Sequence, residues 1–200
     1  MILPLGRWVL AQACADMRAW QEMFPNQPPL TIAVNVSVRQ IQEPTFVEEV
    51  AQVLRESQLP SNTLILEITE SVMMHDVGTT VQVLRALKDL GVRLAIDDFG
   101  TGYSSLSYLR EFPFDILKID KSFVDADARA NDKELTRAII DLGRTLHMEI
   151  VAEGIEAIEQ LSRLRALECE RGQGYYFARP LEHAQMAALL SAQSERIDAA

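Results

Sequence analysis

Apolar residues along the chain fall into two alternating patterns. Short β-branched runs, "TIAVNVS" (31–37), "LILEITE" (64–70), "VRLAIDD" (92–98), "DILKID" (115–120), "MEIVAEG" (148–154) and the weaker "GQGYYF" (172–177), have the near-continuous apolar character of strands buried on both faces. Segments of helical period separate most of them. Phe46, Val47, Val50, Val53 and Leu54 predict a helix that Pro60 ends. A second is predicted from Val77 to about Leu90, stopped by Gly91 as a C′ residue. A third places Leu135, Ala138, Ile139, Leu142 and Leu146 on one face, and a fourth places Ile158, Leu161, Leu164 and Leu167. After Pro180 the pattern is that of a terminal helix fading into a polar tail.

Strands that alternate with helices predict an α/β fold with a parallel sheet, either doubly wound or closed into a barrel. A chain of 200 residues can bury its own core, and no linker, repeat or low-complexity tract divides it, so one domain is expected over 1–200. The formal charge of −10 argues against general affinity for DNA or RNA, since no basic run is available to displace counterions from phosphates. Cys14 and Cys169 lie in apolar helical patterns and read as reduced core thiols. The opening "MILPLGRWVLAQAC" lacks the basic n-region and cleavage site of a signal peptide, and no apolar stretch reaches the length of a membrane span. A cytoplasmic location is the resulting expectation.

Polar residues interrupt the apolar runs near their carboxyl ends. Asn35 follows "IAV", Glu67 follows "LIL", Asp97 and Asp98 follow "LAI", Lys118 follows "IL", Glu153 follows "IVA", and Gln173 opens the last run. Strand ends of this polarity are where barrels and open α/β sheets build their active sites. Each residue alone also fits a helix cap, a solvated ion pair or a first-turn acid. Together, four carboxylates and an amide form an oxygen-rich set suited to Mg²⁺ or Mn²⁺ rather than zinc. His75, His147 and His183 lie away from the strand ends. Two cations bridged by a carboxylate would suit in-line displacement at phosphorus, with Lys118 orienting or helping to deprotonate the attacking water. Adjacent Asp97 and Asp98 can both reach such a site only if the strand has ended and the backbone turns, which Gly100 and Gly102 would allow.

The ordered segments "AVNVS", "LEITES", "DDFGTGYSS", "LKIDKSFV", "VAEGIE" and "GQGYYFARP" resemble the signature segments of bacterial EAL domains, and the similarity spans the chain from "PLGRWVLAQAC" to "RPL". The resemblance implies a TIM-barrel-like (β/α) phosphodiesterase that hydrolyses cyclic di-GMP to linear pGpG with Mg²⁺ or Mn²⁺. It implies Asn35, Glu67, Asp97, Asp98 and Glu153 as metal ligands. It gives catalytic roles to Lys118 near the nucleophilic water, to Glu153, and to Glu70, which steadies the loop after the Asp pair. Gln173, Phe177, Pro180 and Glu156 are implied at or beside the substrate, Phe177 and Pro180 lining a guanine pocket. A homodimer formed through the region after the Asp pair, and an upstream sensor or GGDEF module, are further implications. The intact ligand positions, lysine and loop favour an enzyme over a non-hydrolytic cyclic di-GMP receptor.

One departure stands against the resemblance. The family is named for a Glu-Ala-Leu segment on a strand ahead of the "GRWVL" helix, and no such segment occurs in these 200 residues. The expectation is therefore an EAL fold incomplete at its first strands, with unpaired strand edges, exposed apolar faces, weak metal binding and slow hydrolysis.

Overall fold

The computed structural model describes residues 1–25, 30–74, 77–100, 109–125 and 130–198. Helix α1 (Ile2–Met23) leads into β1 (Ile32–Val36), the one-turn α2 (Val38–Ile41), α3 (Phe46–Ser57) and β2 (Leu64–Thr69). Then follow α4 (Val77–Asp89), β3 (Arg93–Phe99), β4 (Ile116–Ile119), the short α5 (Lys121–Val124) and α6 (Ala130–Thr145). The described chain closes with β5 (Glu149–Ala152), α7 (Ile158–Ala166), β6 (Arg171–Gly172) and α8 (His183–Asp198).

All six strands are parallel and lie side by side in chain order. A doubly wound sheet reverses its order at a switch point, whereas a (β/α) barrel does not. The observed order is therefore the barrel's, in a sheet that is not closed. Strand alternation sorts the side chains. Leu66, Ile68, Leu94, Ile96, Leu117 and Ile119 are fully buried in the main apolar cluster, to which the helices contribute. Full burial of each contributes roughly 1.5–3 kcal/mol. Helix α1 sends Leu10, Cys14, Met17 and Trp20 into that cluster, while Leu5, Trp8 and Val9 on its other side are exposed.

The opposite face of the sheet is tiered. At its lower end Glu149 is salt-bridged to Arg93 (2.7 Å) and Arg171 (2.6 Å). Above them Ile65, Ala95 and Ile116 form a small separate apolar cluster against Val151. Above that, toward the carboxyl ends, Glu67, Asp97 and Lys118 are buried polar residues. The apolar tier separates the two charged ones and fixes the face on which the upper residues must lie.

Four sequence expectations need correction. Helix α3 ends at Ser57 because Gln58 takes a left-handed conformation (φ 54°), two residues before Pro60. The inward face of α6 is rotated: Leu135 is 48% exposed and Ala138 is exposed, while Thr136, Ile139 and Ile140 are buried. Thr136 Oγ1 donates to the Phe123 carbonyl (3.1 Å), so a polar residue occupies the inner face. In the last run the strand is Arg171–Gly172, and residues 174–177 form a turn closed by Phe177 N–H on the Gly174 carbonyl (3.1 Å). Strand β3 runs through Phe99 rather than stopping at the Asp pair. His75, Gly102 and most of the "FGTGYSS" run lie outside the described residues, as does much of the region assigned to a dimer contact. Among the described residues no helix is long and apolar enough to cross a membrane.

Candidate functional site

Glu67, Asp97 and Lys118 come from the adjacent strands β2, β3 and β4, and Glu153 follows β5 directly. Glu67 interrupts β2 after Leu64, Ile65 and Leu66 and projects to the tiered face that Ile65 occupies. Lys118 does the same on β4 above Ile116, and Glu153 lies two positions beyond Val151, the register partner of Lys118. The Glu153 N–H donates to the Ile119 carbonyl (3.0 Å), so the ladder holds this residue past the end of the strand.

These side chains converge on the Lys118 ammonium. Nζ lies 2.6 Å from Glu67 Oε1, 2.9 Å from Asp97 Oδ1 and 2.5 Å from Glu153 Oε1. Lys118 is 5% exposed and Glu67 and Asp97 are each 8% exposed, so the charges are largely shielded from water. Burial alone would push the Lys118 pKa down. Hydrogen bonds to Glu153, Glu67 and Asp97 outweigh it, and the net shift is upward. Burial pushes the Glu153 carboxyl up, against the pull of Lys118.

The adjacent Asp97 and Asp98 reach one site by a bulge. Ile96 pairs with Leu117 and Phe99 with Ile119, so two residues of β3 stand opposite the single Lys118 of β4. Asp98 takes φ 54°, in the left-handed region that aspartate tolerates better than most residues. This departs from a turn made after the strand by Gly100 and Gly102: the reversal is inside the strand and is made by Asp98 itself. Carboxylate oxygens of Asp97, Asp98 and Glu153 lie within 4.8 Å of one another. Burial and then repulsion from Asp97 and Asp120 raise the Asp98 pKa, with Lys118 opposing.

The surrounding residues divide into those that join the cluster and those that do not. Glu70 is 4% exposed and its Oε2 accepts the Gly100 N–H (3.1 Å), holding the backbone just after the Asp pair. Asn35 is the register partner of Glu67, and its side chain is exposed between the buried Val34 and Val36 of β1. Gln173 extends the ladder through its backbone, donating to the Ala152 carbonyl (2.8 Å) and accepting from Ile155 N–H (3.1 Å), with an exposed side chain. Glu156 is paired with Lys121 (2.6 Å) rather than with the cluster. Phe177 lines a cavity of about 370 Å³ with Ile155, Leu161, Leu164 and Cys169, and Pro180 is exposed. His183 stacks on Trp20 (centroids 5.1 Å apart), and His147 follows α6.

Asp120 was missed by the sequence reading. Its carboxylate caps α5, accepting from Ser122 N–H (2.9 Å) and Oγ (2.5 Å), and its charge also acts on Asp98. The signal was present as a further acid at a strand end, in "LKID".

The donor set can be tested against a metal. Asp97, Asp98 and Glu153 offer only oxygen, with no thiol or imidazole in the group. That chemistry fits a hard divalent cation.

Comparison with known proteins identifies the family. Residues 1–180 match the EAL domain family. The whole chain is 43% identical over 201 residues to the Pseudomonas aeruginosa protein named cyclic di-GMP phosphodiesterase NbdA, and covers 25% of it. Among solved structures, the PaMucR phosphodiesterase in complex with c-di-GMP superposes with a TM-score of 0.88 at 40% identity, covering 92% of this chain and 74% of that one. The EAL domain of Mycobacterium smegmatis DcpA also gives 0.88 at 40% identity, with 94% and 84% covered. The chain spans about a quarter of the length of the first curated relatives it matches.

Proposed function

The chain belongs to the EAL domain family, and from that premise we propose that it hydrolyses cyclic di-GMP to linear pGpG with Mg²⁺ or Mn²⁺. The observation that carries this reading is the convergence of Glu67, Asp97 and Glu153 on Lys118, with Asp98 turned into the same group by the β3 bulge.

Asn35, Glu67, Asp97, Asp98 and Glu153 would hold the metal. When bound, divalent cations would polarise the phosphoryl oxygens and lower the pKa of a bound water. Lys118 carries its proton firmly, because three carboxylates share it. It therefore suits orienting the water and neutralising charge on the phosphate better than accepting a proton. Glu70 fixes the backbone after Asp98 through Gly100 and so positions the Asp pair. Gln173, which follows β6 directly, would touch substrate. Phe177 and Pro180 would line the guanine pocket, and Glu156 would support the rim. A homodimer and attached sensor or GGDEF modules belong to the same reading.

Glu67→Ala and Lys118→Ala test the roles. Loss of turnover by at least about 100-fold with a retained fold supports them, taking general acid–base and electrostatic contributions as the scale. Unchanged turnover overturns them.

A further inference from the structure

The segments that carry Lys118 and Glu153 face one another beyond the site. Lys121 follows Lys118 by three residues and Glu156 follows Glu153 by three, and Lys121 Nζ lies 2.6 Å from Glu156 Oε1. Two lysine–glutamate rungs thus join the same two segments. The inner rung is shielded, its side chains 6% and 20% exposed, whereas those of the outer rung are 47% and 46% exposed.

Further contacts close the outer rung into a ring. Lys121 also lies 3.7 Å from Asp125 Oδ2, and Gln160 Nε2 donates to Asp125 Oδ1 (2.7 Å). Gln160 Oε1 accepts the backbone N–H groups of Glu156 (2.6 Å) and Ala157 (2.8 Å). Gly154 stands between the rungs with φ 69°, and a Cβ there would overlap Cβ, Cγ and Cδ of Lys121. The lysine stem therefore lies flat on the turn that immediately follows Glu153.

Half-exposed ion pairs contribute little to stability, so stability does not account for this arrangement. Position accounts for more. A divalent cation bound at the cluster would compete with Lys118 for the Glu153 carboxylate, since an ammonium and a divalent cation repel at such range. We propose that the Lys121–Glu156 rung is a positioning element, which keeps the Gly154 turn and hence Glu153 in place when the inner rung gives up its contact. The inference rests on the reading of the acidic cluster as a metal site and adds a residue, Lys121, that directs it from outside.

The test is a Mn²⁺ titration by calorimetry, beside urea unfolding in chelator, on the protein with any residues preceding Met1 retained. Lys121→Met keeps the stem and removes the charge; Glu156→Gln removes the partner. Both should weaken Mn²⁺ binding about tenfold, the lower end of what outer supports of metal ligands contribute, and leave the chelator unfolding midpoint unchanged. The exchanged pair Lys121→Glu with Glu156→Lys should recover most of the affinity. In turnover assays of Lys121→Met the Mn²⁺ requirement should rise while kcat at saturating Mn²⁺ holds. Unaltered affinity in Lys121→Met overturns the proposal, as does a weakening that tracks lost stability and is not rescued by the exchange. Absence of Mn²⁺ binding in the unaltered protein overturns the metal reading and this proposal with it. Mn²⁺ binding without turnover overturns hydrolysis alone.

Discussion

Asp98 follows Asp97 in the left-handed region, at φ 54°, so that two consecutive residues of a parallel strand stand opposite the single residue Lys118. Alternation would send one carboxylate to each face; the bulge gathers both at one rim. Backbone geometry and charge at Asp98 can be separated by substitution. Asn tolerates the left-handed region as Asp does, Gly adopts it freely and Ala resists it by about 1–2 kcal/mol. Urea unfolding in chelator should therefore place Asp98→Ala about 1 kcal/mol below Asp98→Gly, with all three weakening Mn²⁺ binding.

The same residue sets a pH dependence. Burial and repulsion from Asp97 and Asp120 raise its pKa, so the folded state holds this proton more tightly than the unfolded state. By linkage its contribution is most favourable below the ordinary value of 3.8 and is lost as pH rises through the higher folded value. Without metal, Asp98→Asn should stabilise the protein at neutral pH, and the gain should vanish in acid. Unfolding midpoints of the two proteins across pH 3–7 in chelator check this.

Removing the Lys118 ammonium leaves three carboxylates clustered without their cation. Lys118→Met should cost about 3–5 kcal/mol in chelator, as breaking a buried pair does, and Mn²⁺ should restore much of it. The raised lysine pKa gives a second sign. Its stabilisation is fully present below the ordinary value of 10.5 and is lost as pH rises beyond it toward the folded value. The gap between wild type and Lys118→Met in chelator should narrow only above about pH 10.5.

Glu67, Asp97, Lys118 and Glu153 were legible in the sequence because each breaks an apolar run at the period of a strand whose inner face is otherwise Ile65, Ala95, Ile116 and Val151. Strand–helix alternation made the parallel α/β sheet legible but left doubly wound and barrel orders open; the barrel reading came with the family resemblance. The bulge was not, because alternation contains no term for an aspartate in the left-handed region. Thr136 was discounted as polar, which turned the predicted face of α6 toward Leu135 and Ala138. Asp120 was hidden by its second role as the cap of α5, which its local sequence explains fully. The aromatic run 175–177 mimicked a strand by composition, but Gly174 packs its backbone against Ile155 and the chain turns there.

Cys14 offers an independent check on the core. It is fully buried in α1, and burial pushes its pKa from 9.0 up to about 11. The thiol should react with a disulfide reagent at pH 8 only at the rate of unfolding or local opening. Because the folded value is the higher one, its contribution is intact below about pH 9 and lost as pH rises through about 11. Wild type should lose more stability than Cys14→Ala across that interval, read by urea midpoints at successive pH values.

The central claim is hydrolysis at the Glu67, Asp97, Asp98, Glu153 and Lys118 cluster. The most direct measurement is incubation of cyclic di-GMP with Mn²⁺ and the protein, any residues preceding Met1 retained, with separation of the nucleotides over time. Linear pGpG should accumulate in wild type and not in Asp97→Asn of equal foldedness. Cyclic di-GMP bound but recovered intact at saturating Mn²⁺ would contradict that claim and make the domain a receptor.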